Sequence, residues 1–201
     1  MNRPTRSTKS AWQKLWMMTA MLAAMVSLPA LSQAGVHQIW DQAHLFQVDT
    51  LDGVNATLAQ IRERFDKDLM IETFPSIPDD FKQHYTDDDR EKFYEGWAVS
   101  EARSLGVNGL LILITGQPRH LHIVVGYDTR KVGFTLADRD ELVARLTNAF
   151  RAKQFDAGMK DAAQFVLDRM TRNYAAAKAQ PATRPAASPA TRPANEGPGS
   201  F

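Results

Sequence analysis

The 201-residue chain has no cysteine, 24 basic and 23 acidic residues, and a formal net charge of +1. The lack of cysteine excludes disulfides, thiolate metal sites and cysteine nucleophiles. Without the four basic residues of the first 34 positions, 20 basic and 23 acidic residues remain, a net charge of −3. A mildly acidic chain without a basic stripe argues against nucleic acid as a partner.

Residues 1–34 have the pattern of a secretory signal peptide. A basic head without acids precedes an apolar run from Leu15 to Leu28, and Ser32-Gln33-Ala34 follows it. The run is shorter than the about 20 residues that a membrane span needs. We therefore expect cleavage after Ala34 and a periplasmic or secreted protein. The alternative is an uncleaved N-terminal segment that tethers the protein to the membrane.

The other end of the chain differs in composition from the middle. Residues 175–201 are rich in Ala, Pro, Thr and Arg and hold few large apolar residues, which predicts a disordered tail. We expect no membrane-spanning segment after the signal peptide. The folded domain is therefore predicted at residues 35–174, a normal size for one domain.

The first half of this domain alternates strands and helices. We predict an edge strand at Val36–Trp40, a helix at Leu51–Phe65, a strand at Leu69–Phe74, a loop at Asp79–Thr86 and a helix from Thr86 to Leu105. Asp49 or Thr50 would cap the first helix. Gly106 would end the second helix with a positive φ.

The second half begins with the most apolar stretch. Asn108–Thr115 predicts a strand buried on both faces, and Leu121–Val125 would pair with it as a hairpin. Gly126–Phe134 is expected to be an irregular loop. Thr135 and Asp138 have capping-box spacing at the start of a helix, and a last helix would reach Tyr174. The order predicts a layered α/β fold with a largely parallel sheet and one hairpin.

The familiar catalytic motifs are missing: the sequence has no G-x-S-x-G, P-loop, H-E-x-x-H or G-x-G-x-x-G. His120 and His122 would share one face of a strand and could both reach a metal ion. No acid or cysteine close in the sequence completes a zinc set, so we expect structural or surface roles for both histidines.

Three aspartates follow predicted strands or begin a helix. Asp41 follows the first strand, Asp128 follows the last, and Asp138 lies at a helix start. Ligands collect outside the carboxyl ends of strands in open α/β sheets, and converging carboxylates would suit Ca²⁺ or Mg²⁺. The alternative assigns Asp41 to a turn, Asp128 to solvent and Asp138 to a helix cap.

Several motifs together resemble the TPM domain family, over about Val36 to Met170. They are Trp97, Gly106–Ile114, Arg119, Ile123–Tyr127, Thr135–Asp138, Phe150-Arg151 and Asp156-x-Gly158. That family includes thylakoid-lumen proteins linked to photosystem II repair, a nematode receptor auxiliary subunit and many exported bacterial proteins. The resemblance implies a three-layer α/β/α sandwich, a divalent-metal site, and a phosphatase activity attributed to plant members.

The chain departs from the family in the loop after the hairpin. Members commonly have Gly-Tyr-Gly-x-Glu, whereas this chain has Gly126-Tyr127-Asp128-Thr129-Arg130. Asp128 could replace the lost oxygen ligand. Equally, Arg130 could occupy the site and abolish metal binding.

Two functions follow from these observations. The first is a non-catalytic module that supports assembly or quality control of an envelope protein or membrane complex. The second is a weak phosphatase that depends on a divalent metal. For the second, Asp41, Asp128 and Asp138 are the expected metal ligands, and Arg130 and Asn108 are the expected contacts to phosphate or ligand.

Overall fold

A computed structural model of the protein describes residues 38–179. The predicted signal peptide and the tail beyond Ala179 lie outside the described residues. The elements of the described part are, in chain order, β1 (Ile39–Asp41), α1 (Val48–Phe65), β2 (Asp68–Phe74), α2 (Asp79–Lys82), α3 (Arg90–Ser104), β3 (Gly109–Thr115), β4 (His120–Val125), α4 (Tyr127–Val132), α5 (Leu136–Arg151) and α6 (Phe155–Ala179).

The strands form one sheet in the order β1-β2-β3-β4. β1, β2 and β3 run parallel, and β4 pairs antiparallel with β3, so the hairpin is confirmed. Every residue of β3 is buried. An interior strand covered on both faces has no solvated side, which explains its uninterrupted apolar sequence.

Helices cover both faces of the sheet. Alternate strand residues, such as Ile71 and Ile112, pack with α1, α5 and α6 in one core cluster. Their neighbours, such as Met70 and Leu111, pack with α3 in a second cluster around Tyr94. This alternation is the period-2 pattern of a strand. The three-layer α/β/α sandwich is therefore confirmed.

Some boundaries differ from the prediction. α1 begins at Val48, before the predicted caps. α2 forms one turn where a loop was expected. Residues 175–179, assigned to the tail by composition, continue α6 to Ala179. Four of these five residues are alanine, which has the highest helix propensity. Gly106 has the expected positive φ of 67°.

The predicted irregular loop after β4 contains the helix α4. Gly126 and Gly133 flank it, which is why the pattern suggested a loop. Asp128 lies in its first turn, and Arg130 and Lys131 lie in its last turn. This order of charges complements the helix dipole. In residues 38–179, no helix has the length and apolarity that crossing a membrane requires.

Candidate functional site

The direction of β4 determines which of the predicted site residues can lie close together. The parallel strands β1, β2 and β3 finish at one end of the sheet, here called the Thr73 end. At the other end, here called the Asp68 end, β2 and β3 begin and β4 finishes. The N–H of Gly126 donates to the carbonyl of Gly109 at 2.8 Å, which fixes the chain after β4 at the Asp68 end.

Asp41 lies at the Thr73 end, where it is paired in register with Thr73. Its Oδ1 accepts hydrogen bonds from the Leu45 N–H at 3.0 Å and the Thr73 hydroxyl at 2.5 Å. Its Oδ2 accepts from the Phe46 N–H at 2.9 Å. Both carboxylate oxygens therefore hold the turn between β1 and α1.

Asp128 lies at the opposite end of the sheet from Asp41. Asp68 and Thr73 of β2 mark the two ends of the sheet. A strand rises about 3.3 Å per residue, so these two positions lie ~16 Å apart along β2. The structure therefore does not bring Asp41 and Asp128 to one site. The expected convergence did not take into account the predicted hairpin, in which the antiparallel β4 finishes at the opposite end of the sheet from β1.

Asp138 occupies the N-terminal turn of α5. It forms the predicted capping box with Thr135, and its Oδ2 also accepts from the Asn173 amide at 3.0 Å. Arg169 Nε lies 3.4 Å from Oδ1. Burial raises the pKa of Asp138, but the hydrogen bonds from Thr135 and Asn173 and the charge of Arg169 outweigh it and hold the pKa below its usual value.

The two expected ligand contacts lie at the Asp68 end. The Asn108 side chain accepts a hydrogen bond from Lys67 Nζ at 2.9 Å and donates one to the Asp66 carbonyl at 3.0 Å. Its polar atoms therefore link the residue before β3 to the residues before β2. Asp128 and Arg130 are exposed on α4. Binding of Ca²⁺ or Mg²⁺, or of phosphate, by these residues stays a prediction.

A different group of metal-ligating side chains lies between β4 and α3. Within residues 38–179, Glu91, His120 and His122 are the one set of three or more His or acidic residues whose ligand atoms all lie within 4.8 Å of one another. His120 Nε2 is 3.8 Å from a Glu91 oxygen. His122 Nε2 is 2.8 Å from Glu95 Oε2. Two imidazoles and a carboxylate are a donor set for a transition metal.

The histidine pair was visible in the sequence, but its acidic neighbours were missed. Glu91 and Glu95 are 25 or more residues away in the chain and reach the histidines only because α3 packs on β4. The one sequence signal was their spacing of four residues, which places both on the same face of a helix.

His120 has the most restricted environment of the group. Its ring stacks on Tyr94 with 3.9 Å between the ring centroids and an interplanar angle of 18°. Its Nε2 is buried and has no hydrogen-bond partner among residues 38–179. Burial lowers the pKa of His120, so the neutral imidazole is favoured near pH 7.

The amino-acid sequence matches the sequence model of the TPM domain over residues 39–169. The chain belongs to the TPM domain family. A comparison with curated proteins found no match for this TPM domain.

Solved structures of other domains resemble this TPM domain. One is the solution structure of the N-terminal domain of a protein from P. gingivalis, at 19% identity and a TM-score of 0.57, covering 70% of this chain and 86% of that one. Another is the solution structure of the N-terminal domain of the cg2496 protein from Corynebacterium glutamicum, at 14% identity and a TM-score of 0.51, covering 73% and 86%. These likenesses show the fold.

The TPM domain exposes an aromatic side chain on α4. Tyr127 is 60% exposed, and Lys131 Nζ lies 3.8 Å from the centroid of its ring. The Arg130 guanidinium carbon lies 5.1 Å from the same centroid. Val132 and Leu136 are 38% and 43% exposed. We call these five residues the Tyr127 surface.

Proposed function

We propose that this TPM domain acts outside the cytoplasm as a non-catalytic interaction module that binds an envelope protein through the Tyr127 surface. The composition of residues 1–34 supports export. The observation that carries the binding role is the clustering of exposed apolar residues. Of the five large hydrophobic residues exposed in the described part of the chain, three lie between positions 127 and 136.

The chemistry of the Tyr127 surface suits a protein interface. Tyrosine and arginine are enriched among the residues that dominate binding energy, since both offer large contact areas and a polar group. Scattered exposed hydrophobic residues are ordinary. Here three of them lie within ten positions of the chain, and two basic side chains lie beside the Tyr127 ring. Arg130 and Lys131 beside the ring would favour a partner whose rim is acidic.

The experiment is site-specific photo-crosslinking in the cell envelope. A benzoylphenylalanine is placed at Tyr127 in the full chain, and a matched chain carries it at Val48, an exposed hydrophobic residue on α1. We expect a discrete crosslinked product from position 127 alone. An excess of the parent protein should suppress it, and an excess of the Tyr127→Ala/Arg130→Glu variant should not. Equal crosslinking at both positions, or none, contradicts the proposal.

A metal-dependent phosphatase remains the second candidate, and one observation favours it. Glu91, His120 and His122 could supply three protein ligands, and catalytic zinc sites commonly use three and leave another position for water or substrate. The test is hydrolysis of a model phosphoester by the full chain with Zn²⁺, Mg²⁺ or Ca²⁺. Turnover by the parent that Glu91→Gln reduces at least tenfold would support it, and no turnover with any of these ions would contradict it.

A further inference from the structure

We propose that Glu91, His120 and His122 bind one first-row transition metal ion, best matched by Zn²⁺, where α3 packs on β4. The site is independent of the Tyr127 surface and differs from the aspartates that the sequence suggested. It needs no catalytic activity, so its occupancy can be tested by binding alone.

The donor atoms favour this class of metal. Imidazole nitrogen suits Zn²⁺ and its neighbours in the first transition row, whereas Ca²⁺ and Mg²⁺ take oxygen ligands. Zn²⁺ binds histidine nitrogen and carboxylate oxygen at about 2.0–2.2 Å, so tetrahedral ligand atoms lie ~3.3 Å apart. The ligand atoms of Glu91, His120 and His122 lie within 4.8 Å of one another. The ligand atoms would therefore move inward when a metal ion binds.

Glu91 is the side chain that can make this movement. It is 80% exposed, whereas the side chains of His120 and His122 are only 11% and 14% exposed. The two histidines are held by the strand and by ring stacking, so they form a fixed pair. Glu91 can therefore approach the pair from the solvent side without disturbing the core.

The buried nitrogen of His120 is an independent observation that points to a ligand. A buried polar atom without a partner is destabilising, and native proteins rarely contain one. Within the described part of the chain, His120 Nε2 has no hydrogen-bond partner, and the Glu91 carboxylate is 3.8 Å away, beyond hydrogen-bonding distance. A metal ion between them would satisfy both atoms.

Glu95 acts as a positioning residue for His122. Metal-binding histidines commonly donate their other N–H to a carboxylate, which fixes the tautomer and the orientation of the ring. The contact of 2.8 Å between His122 Nε2 and Glu95 Oε2 would be such a pairing if His122 binds the metal through Nδ1, its other ring nitrogen. Loss of a partner of this kind typically lowers metal affinity about 10–100-fold.

The experiment is calorimetric titration of Zn²⁺ into the full chain, purified without a polyhistidine tag. We expect one equivalent to bind with micromolar affinity or better, and neither Ca²⁺ nor Mg²⁺ to compete for the site. Glu91→Gln and His122→Gln should each weaken binding at least tenfold. Glu95→Gln should also weaken Zn²⁺ binding. Co²⁺ bound to the parent should show the visible absorption of a tetrahedral nitrogen and oxygen site, and the spectrum of Co²⁺ bound to Glu95→Gln should differ from it.

The matched control is His84→Gln, which removes an exposed histidine outside the cluster and should leave binding unchanged. Circular dichroism of each variant checks the fold. Glu91→Gln is the decisive variant because its side chain is exposed and its replacement leaves the core intact. The proposal is overturned if the parent binds no Zn²⁺, if Glu91→Gln and His122→Gln bind as well as the parent, or if His84→Gln loses as much affinity as they do.

Discussion

The hydroxyl of Thr73 donates a hydrogen bond of 2.5 Å to the Asp41 carboxylate and joins the end of β1 to the penultimate residue of β2. The same hydroxyl oxygen accepts from the Ala43 N–H at 3.0 Å. Together with the two N–H groups that Asp41 accepts from, this network fixes the chain between the edge strand and α1. Asp41 is thus a structural residue in a position where the sequence suggested a metal ligand.

Replacing Asp41 with Ala should therefore destabilise the protein without affecting Zn²⁺ binding. The change leaves two N–H groups and the Thr73 hydroxyl without their acceptor. We expect a loss of about 2–3 kcal/mol in the free energy of unfolding, since hydrogen bonds to charged groups contribute about 1.5–3 kcal/mol each and are not additive. Urea denaturation measures this free energy of unfolding.

The control is Asp52→Ala, at an exposed position of α1, which should change the free energy of unfolding by less than about 0.5 kcal/mol. An Asp41→Ala protein as stable as this control would contradict the assignment.

A second prediction concerns Glu72, a buried acid in the middle of β2. Burial raises the pKa of Glu72 from 4.5 to about 7, and the negative charge of Glu101 adds to the rise. The native state therefore holds this proton more tightly than the unfolded state between these pH values. The contribution of Glu72 favours folding at low pH and is lost as the pH rises through about 7.

Glu72→Gln should consequently stabilise the protein more at pH 8 than at pH 5. A neutral amide avoids the cost of a buried charge. At ~1.4 kcal/mol per pKa unit, the gain at pH 8 should exceed the gain at pH 5 by about 2 kcal/mol. Urea denaturation of parent and variant at both pH values gives the difference. A matched change at the exposed Glu63, Glu63→Gln, should show no such pH dependence. The same gain at both pH values would exclude a titrating Glu72.

A third prediction concerns Asp138, which caps α5 and contacts α6. Asp138→Ala removes the acceptor for Thr135 and Asn173 and should cost about 2 kcal/mol of stability at pH 7, at the upper end of the range for capping residues. Because the pKa of Asp138 is lowered, its contribution is present above pH 3.8 and is lost as the pH falls through the native pKa. The difference between parent and variant should shrink in acid.

Asp140→Ala is the control for Asp138 because it lies in the same helix and is exposed. It should change the midpoint of urea denaturation little at any pH. If Asp138→Ala were no less stable than Asp140→Ala at pH 7, the capping box would not contribute to stability. A constant difference down to pH 2 would instead show that the ionised carboxylate is not the stabilising form.

The sequence predicted the layers of the fold because its signals are local. The apolar run of Gly109–Thr115 needs only its own composition to indicate a buried strand. Thr135 and Asp138 needed only their spacing to indicate a helix start, and the structure confirms both hydrogen bonds of the capping box. The helix α4 was missed because flanking glycines resemble a loop, although its charge order suits a helix.

The sequence by itself determined the TPM family, the α/β layers and the exclusion of cysteine chemistry, since composition, periodicity and motif spacing are properties of neighbouring residues. Only the tertiary structure decided which ionisable groups meet. The reversed direction of β4 separates Asp128 from Asp41, and the packing of α3 brings Glu91 to His120 and His122. The first result follows from a hairpin that the sequence predicted. The second depends on the packing of α3 on β4, whose residues are 25 or more positions apart, and the four-residue spacing of Glu91 and Glu95 does not by itself indicate that contact.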